Sequence, residues 1–289
     1  MQPGRLRPDR VCHDRAVDSI TIFLQTLTPP HQALAATIFT WSLTALGASF
    51  VLFARNISPR LLTVAQGLAA GVMLAASFWS LLSPAIEMAE GLGMLPWVPA
   101  AGGLLLGAAF VGLLDKVLPH LHPGFSREQA EGVKVPWSQG ALLLAAMTIH
   151  NLPEGMAIGV SYGGAALDVE GSSLGSALAL SLGIGFQNVP EGLAVALPLY
   201  AAGLSRWRAF MFGQASALVE PVGGYFGALF VGSALPILPY ALAFAAGAMI
   251  FVVIEELIPE SQRSGYTDLA TQAALGGFVM MMILDVALG

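Results

Sequence analysis

Two short segments of the sequence carry residue types that bind metal ions, and the two share one pattern. Each has the form Asn-x-Pro-Glu-Gly and follows a potential ligand, as in His150-Asn151-Leu152-Pro153-Glu154-Gly155 and Gln187-Asn188-Val189-Pro190-Glu191-Gly192. On a helix, residues four apart share one face, so His150 lies beside Glu154, and Gln187 beside Glu191. If these faces meet, they supply one imidazole nitrogen and three or more oxygens. Such a shell suits Zn²⁺ and also accepts Fe²⁺, Mn²⁺ or Cd²⁺.

More oxygen ligands adjoin this first set. Asn151 and Asn188 each precede a motif glutamate by three residues, so Glu154 and Glu191 could bridge two ions. A third acid, Glu220, precedes a proline in a later apolar segment. A charge at mid-bilayer costs roughly 2.5–3.5 kcal/mol on insertion scales, so we expect a divalent cation, or protons, to neutralise the glutamates together. For Glu220 alone, a proline kink with a protonated acid bonded to a neighbouring helix stays an alternative.

The elements that must position these residues are membrane-spanning helices. The chain is 56% hydrophobic and 10% charged, whereas soluble domains carry roughly 25% charged residues. Eight apolar stretches are each long enough to span a bilayer as a helix, at about 34–54, 61–88, 96–118, 138–162, 173–201, 207–232, 236–258 and 268–287. We therefore predict an all-α, polytopic membrane protein, an eight-transmembrane-helix bundle. Because consecutive spans run in opposite directions, the motifs in spans four and five form an inverted-repeat arrangement at the midplane.

The basic residues predict the orientation of the chain. Lys and Arg occur in the loops after spans one, three, five and seven, and not in the loops after spans two, four and six. By the positive-inside rule the first group of loops is cytoplasmic, and both termini are extracytoplasmic. We predict an extracytoplasmic tail at residues 1–32 and an eight-helix transmembrane domain at 33–289. The longest cytoplasmic loop is then at about 119–137, and the cell inner membrane is the expected location.

Several classes of function lack support in the sequence. No basic cluster of the kind that nucleic acids require is present, and a single cysteine, Cys12, excludes an intrachain disulfide or a thiolate metal cluster. A P-loop for ATP is absent, as is the His-Glu-x-x-His helix of zinc proteases. We expect no enzyme activity and no prosthetic group. An intramembrane metalloenzyme of another kind and a proton-coupled carrier of another substrate stay as alternatives.

Together, the motifs resemble those of the ZIP family of metal transporters, and in particular its bacterial GufA-like branch. The resemblance covers nearly all of the chain after the tail, and it rests on the two motifs, Glu220-Pro221, and the segments at 71–77 and 246–253. It implies an eight-helix core with both termini outside, a binuclear site at the midplane of spans four, five and six, and movement of metal ions into the cytoplasm. It also allows a homodimer.

The resemblance assigns residues to this site position by position. The first metal site is then formed by His150, Glu154, Gln187 and Glu191. The second is formed by Asn151, Asn188 and Glu220, with Glu154 and Glu191 shared. Met73 and Ser80 correspond to residues lining the path where metal enters, and residues near the exit are Asp115, His120, His122 and Glu256. Some relatives have Asp where this chain has Asn188, and the neutral amide removes a charge from the second site.

Overall fold

The structure is a computed structural model that describes residues 22–53, 58–121, 130–136, 138–167, 172–201, 203–231 and 235–288. Within these ranges the chain forms eight long helices. They are α1 Pro29–Phe53, α2 Pro59–Gly91, α3 Trp97–Val117, α4 Gln139–Ala165, α5 Leu174–Ala201, α6 Arg206–Ala215 continued by Val219–Val231, α7 Leu238–Gln262 and α8 Thr267–Leu288. The only β pairing in these ranges is one antiparallel bridge between His120 and Glu131. The all-α prediction is therefore confirmed.

Local sequence signals explain where several helices begin. The side chains of Ser58, Ser138 and Ser205 cap α2, α4 and α6 by accepting a backbone N–H three residues further on, at 3.2–3.4 Å. Helix α1 begins at Pro29, earlier than the predicted residue 34, because a proline in the first helical turn loses no hydrogen bond. Most of the predicted tail, residues 1–21, lies outside the described residues.

The helices have the length and surface of membrane spans. Five of them, namely α1, α2, α3, α7 and α8, are long and apolar enough to cross a membrane by length and composition. Large apolar side chains on the outside are widely exposed, including Phe53 at 80% and Val286 at 72%, which in water would form aggregation-prone patches. The chain is therefore a polytopic helical membrane protein. The helices that carry the polar motifs, α4 and α5, are not among those five, nor is α6, and the count of eight crossings stays a prediction.

The helices pack in a pattern that groups the motif helices with α1 and α6. Helix α1 packs along α5 and α6, and α4 packs along α6. Helix α2 packs along α8, and α3 along α7. The motif copies of α4 and α5 thus share one group of helices with α1 and with Glu220 of α6.

The last residue of each motif copy permits a close contact between backbones. A Cβ atom on Gly155 would lie 2.4 Å from the carbonyl oxygen of Glu220 in α6, and one on Gly192 would lie 2.1 Å from the carbonyl oxygen of Thr44 in α1. No side chain larger than hydrogen fits at either point, since real Cβ atoms do not approach other atoms so closely. The glycines therefore bring α6 against α4 and α1 against α5, directly beside the motif glutamates.

Two helices contain a turn of π-helix followed by a proline. In α2 this turn covers Ser77–Leu82, just before Pro84, and in α7 it covers Val253–Leu257, just before Pro259. Turns of π-helix inside α-helices are rare and often occur at functional sites. Each of the two contains residues predicted to line the transport path, Ser80 in α2 and Glu256 in α7.

Candidate metal centre

Helices α4, α5 and α6 bring the predicted metal ligands together in the interior. All of these residues are buried, and none exposes more than 8% of its surface: His150, Asn151, Glu154, Gln187, Asn188, Glu191 and Glu220. Helix geometry places the members of each motif on one face, as the spacing predicts. The contacts below also connect the faces of different helices.

The amide of Gln187 connects the two motif copies. Its Nε2 atom donates to Glu154 Oε1 in α4 at 2.5 Å, and also reaches Asn188 Oδ1 at 3.2 Å and Glu191 Oε2 at 3.3 Å. An NH₂ group has only two hydrogens, so it cannot serve all three acceptors fully. The three oxygens therefore lie around one position. A cation bound at that position would make stronger contacts with them than the amide nitrogen does.

A second set of contacts surrounds Glu220 of α6. Asn188 Nδ2 donates to Glu220 Oε1 at 2.9 Å and to the carbonyl oxygen of Thr40 at 3.2 Å. The hydroxyl of Thr40, in α1, donates to the other carboxylate oxygen of Glu220, Oε2. Both oxygens of this buried carboxylate thus receive a hydrogen-bond donor, one from α5 and one from α1.

Other polar atoms at the site have no hydrogen-bond partner among the described residues. They are both amide atoms of Asn151, Oε2 of Glu154 and Oε1 of Gln187. Leaving a buried polar group unpaired costs about 1–3 kcal/mol, so a cluster of such atoms requires a physical explanation. Three of the four are oxygens that can act as ligands, and they lie where the resemblance predicts the metal ions. A bound divalent cation would satisfy them.

His150 lies between the motif and α7. Its Nε2 atom is 3.0 Å from Oε1 of Glu256, a residue of the π-helical turn. A cavity of about 290 Å³ begins at His150, Glu154 and Glu191 and reaches the exposed residues Glu255 and Arg263. Glu256 also lines this cavity, so a carboxylate lies beside His150 where the cavity begins.

The residues predicted where metal enters lie at two different points. Met73 is buried and lines the same cavity as His150. Ser80 lies seven residues further along α2, within the π-helical turn, and its hydroxyl donates to Asp285 Oδ1 of α8 at 2.6 Å. The structure thus brings Met73 to the metal ligands and gives Ser80 a carboxylate partner elsewhere.

Two of the residues predicted near the exit, Asp115 and His120, form a cluster with Glu131, whereas Glu256 lies beside His150. His120 Nδ1 donates to the Leu118 carbonyl at 2.8 Å, and its Nε2 atom lies 2.9 Å from Asp115 Oδ1. Ligand atoms of Asp115, His120 and Glu131 all lie within 4.8 Å of one another. Glu131 also lines the cavity that begins at His150. His122 lies outside the described residues.

Three residues at these points are absent from the sequence-based prediction. Asp285 has a usable signal, because an acid within an apolar span is expensive and indicates function. Glu131 is an ordinary loop acid in the sequence, and only the bridge to His120 reveals its position. Nothing in the sequence indicates a role for Thr40, since threonines in membrane helices commonly form hydrogen bonds to the backbone of their own helix.

The fold and the site together define a helical membrane protein with a buried cluster of imidazole, carboxamide and carboxylate side chains. A profile of the family described as ZIP Zinc transporter matches residues 126–285. Zinc transporter ZIP11 of Homo sapiens is 42% identical over 92% of this chain and 100% of its own length. Zinc transporter GufA of Myxococcus xanthus is 38% identical over 89% and 98%, and zinc transporter ZIPB of Bordetella bronchiseptica is 42% identical over 85% and 78%.

The chain therefore belongs to the ZIP zinc transporter family, and the resemblance read from its motifs is confirmed. The relatives carry the names of transporters and not of enzymes. The alternative of an intramembrane metalloenzyme is dropped for that reason.

Proposed function

We propose that this protein transports divalent metal ions, zinc first among them, across the cell inner membrane into the cytoplasm. The observation that carries this proposal is the set of buried, unpartnered ligand atoms on Asn151, Glu154 and Gln187, beside His150 and Glu191. Imidazole and carboxylate ligands suit Zn²⁺, and Fe²⁺, Mn²⁺ and Cd²⁺ can bind the same shell. The metal ion is the substrate, and no prosthetic group takes part.

The first ion binds to His150, Glu154, Gln187 and Glu191. A second, weaker position is formed by Asn151, Asn188 and Glu220, with both motif glutamates shared. The charges support the difference in strength, because the three glutamates balance one Zn²⁺ and leave an excess of positive charge around two, which is unfavourable in a low-dielectric interior. Residues 33–289 form the transport domain, with eight crossings and the motif copies in an inverted repeat.

The cavity supports release toward the loops that follow α3 and α7. Its lining includes Glu131 of the first loop and Arg263 at the end of α7. The basic residues predict both loops to be cytoplasmic, so an ion passes from His150 to Glu256 and then to the cluster around Glu131. Homodimer formation is compatible with this route and is not required by it.

The test of the proposal is uptake of ⁶⁵Zn²⁺ by liposomes that contain the purified protein. We expect His150→Ala and Glu191→Ala each to abolish uptake and high-affinity binding while the thermal transition of the protein persists. His31→Ala is the matched control, since His31 is exposed and, among the described residues, its ring bonds to Thr28 and contacts Tyr225 without meeting any proposed ligand. Wild-type uptake in both site variants would refute the assignment of the site.

The direction of transport is tested by labelling of cysteines in cells, after Cys12→Ser removes the native thiol. A cysteine at Leu92, in the loop after α2, should react with an impermeant reagent from outside. So should one near Asp168, which lies outside the described residues. A cysteine near Arg206 should react only after permeabilisation. The opposite pattern would invert the topology, and import would become export.

A further inference from the structure

A row of threonines follows one face of α1 beside the metal centre. Thr37, Thr40 and Thr44 are each fully buried, and their spacing of three and four residues places them on one side of the helix. The hydroxyl of Thr37 donates to the carbonyls of Ala33 and Leu34 at 2.7 and 3.1 Å. That of Thr44 donates to the Thr40 carbonyl at 3.4 Å. Both thus bond within their own helix.

Thr40 differs from its neighbours because its hydroxyl reaches another helix. The hydroxyl lies near the Thr37 carbonyl at 3.1 Å and also near Glu220 Oε2. A carboxylate is the stronger acceptor of the two, because a charge-assisted hydrogen bond is roughly twice as strong as a neutral one. The single hydroxyl hydrogen of Thr40 therefore goes to Glu220.

Asn188 makes the remaining contact of this carboxylate, and that contact determines the orientation of the Asn188 amide group. Its nearest partners on that side are Glu220 Oε1 and the Thr40 carbonyl. Both partners are acceptors, so the nitrogen of the amide must face them and the oxygen must face away. Thr40 thus makes two hydrogen bonds at this site: its hydroxyl donates to Glu220, and its carbonyl accepts from Asn188.

The backbones of α1 and α5 pack directly against each other at this position. A Cβ atom on Gly47 would lie 1.9 Å from the carbonyl oxygen of Val189, and the contact of Gly192 with Thr44 lies close by. The two backbones are therefore in direct contact beside Asn188. This close packing places Thr40 of α1 within reach of Asn188 in α5 and of Glu220 in α6.

We infer that Thr40 is a positioning residue of the metal centre, which acts by holding the Glu220 carboxylate in the orientation used for metal binding. The inference rests on the proposed function, since it assumes that Glu220 is a ligand. Carboxylate ligands are usually oriented by such outer hydrogen bonds, and loss of an outer partner typically costs about 10–100-fold in metal affinity. Helix α1, which supplies none of the predicted ligands, thereby becomes part of the site.

The test is zinc titration of the purified full-length protein. Thr40→Val keeps the shape of the side chain and removes the hydroxyl, and we expect the affinity of the weaker zinc-binding step, to which Glu220 belongs, to fall by roughly 10-fold or more. Thr40→Ser keeps the hydroxyl and should stay within about twofold of the wild type, the ordinary scatter of independent changes. Thr37→Val is the matched control, and Thr40→Ala is a second variant should the valine disturb folding.

A double-mutant cycle with Glu220→Gln separates positioning from packing. If Thr40 acts through Glu220, the effect of Thr40→Val should vanish in the Glu220→Gln protein, because the partner is already lost. The inference is overturned if the effect persists there, if Thr37→Val causes the same loss, or if Thr40→Val changes nothing. It is also overturned if Glu220→Gln alone has no effect on zinc affinity.

These results are distinct from a failure of the proposed function. If His150→Ala and Glu220→Gln both leave zinc binding unchanged, the site itself is wrong. If both weaken binding and Thr40→Val does not, only the role of Thr40 is refuted.

Discussion

The two motif copies share five-residue patterns and differ in their surroundings. In α4, both amide atoms of Asn151 and one oxygen of Glu154 have no hydrogen-bond partner among the described residues. In α5, Asn188 donates to Glu220 and to the Thr40 carbonyl, and Gln187 donates to both motif glutamates. Most of the unpartnered atoms therefore lie in the α4 copy, whereas the amides of the α5 copy also connect the helices around the site.

The difference arises from the neighbours of each copy rather than from its own residues. The copy in α5 is close to α1 and α6, which supply Thr40 and Glu220. The copy in α4 begins with His150, which meets Glu256 of α7 and opens on the cavity. Equivalent sequences thus make different contacts because the helices packed against them differ, which is one way a repeated motif produces an asymmetric arrangement.

The largest expected effect comes from making the first copy resemble the second. His150→Gln replaces the imidazole with the amide found in α5, and Zn²⁺ binds imidazole nitrogen far better than a neutral amide oxygen. Since loss of an outer partner alone costs about 10–100-fold, loss of this direct ligand should cost at least roughly 100-fold in zinc affinity. Calorimetric titration measures it, with His31→Gln as the control. Retention of wild-type affinity would mean that the two copies are interchangeable.

A smaller effect is expected from substitutions that push the motif helices away from the helices packed against them. Gly155→Ala forces a methyl group against the Glu220 carbonyl, and Gly192→Ala forces one against that of Thr44. Overpacking of this kind costs about 1–3 kcal/mol, visible as a lower thermal transition in detergent. In the control Gly276→Ala, the added Cβ meets nothing within 4 Å. An equal response at Gly155 and Gly276 would show that the close backbone contacts are unimportant.

The sequence predicts the local part of this arrangement well. Spacing of three and four residues places His150 with Glu154, and Gln187 with Glu191, because helix geometry fixes which residues share a face. Contacts between helices distant along the chain are not fixed in that way. The bond from Thr40 to Glu220 joins residues far apart in the sequence, and a threonine in an apolar helix resembles any packing residue.

The irregular turns within the helices could not be predicted from the sequence pattern either. The predicted spans agree with the helices to within a few residues, but the π-helical turns at Ser77–Leu82 and Val253–Leu257 have no periodic signature. Such turns depend on a balance between backbone hydrogen bonds and tertiary contacts. Composition, in contrast, is sufficient to predict a membrane protein, because the chain has too few charged residues to cover the surface of a soluble protein.

The smallest expected effect tests the two asparagines. With Asn151 and Asn188 neutral, three glutamates leave a net charge of −1 around one Zn²⁺ and +1 around two. Asn188→Asp adds a fourth carboxylate and replaces the donor that now lies 2.9 Å from Glu220 with an acceptor, which favours a cation between them. We expect the weaker zinc-binding step to strengthen about tenfold, or 1.4 kcal/mol, and transport to slow as release becomes harder.

Asn151→Asp is the matched comparison for that prediction. It adds the same charge, but among the described residues Asn151 makes no hydrogen bond to Glu220. The new carboxylate would therefore not face Glu220 as one at position 188 does, and the gain in affinity for the second ion should be smaller. Isothermal titration of the three proteins resolves the two binding steps. Two equally tight steps in the wild type, unchanged by Asn188→Asp, would show that the number of carboxylates does not limit the second ion.

The contacts at Gly155 and Gly192 have a consequence for which ions the centre can discriminate. Main-chain atoms, unlike side chains, cannot yield by changing rotamer, so the contact at Gly155 sets a minimum separation of α4 and α6, and that at Gly192 sets one for α5 and α1. Such contacts limit how closely the helices approach and do not limit how far they separate. If the proposed centre binds its ion between these helices, expansion around a larger ion such as Cd²⁺ is therefore easier than contraction around a smaller one. Rejection of small ions would then depend on ligand chemistry and dehydration rather than on fit.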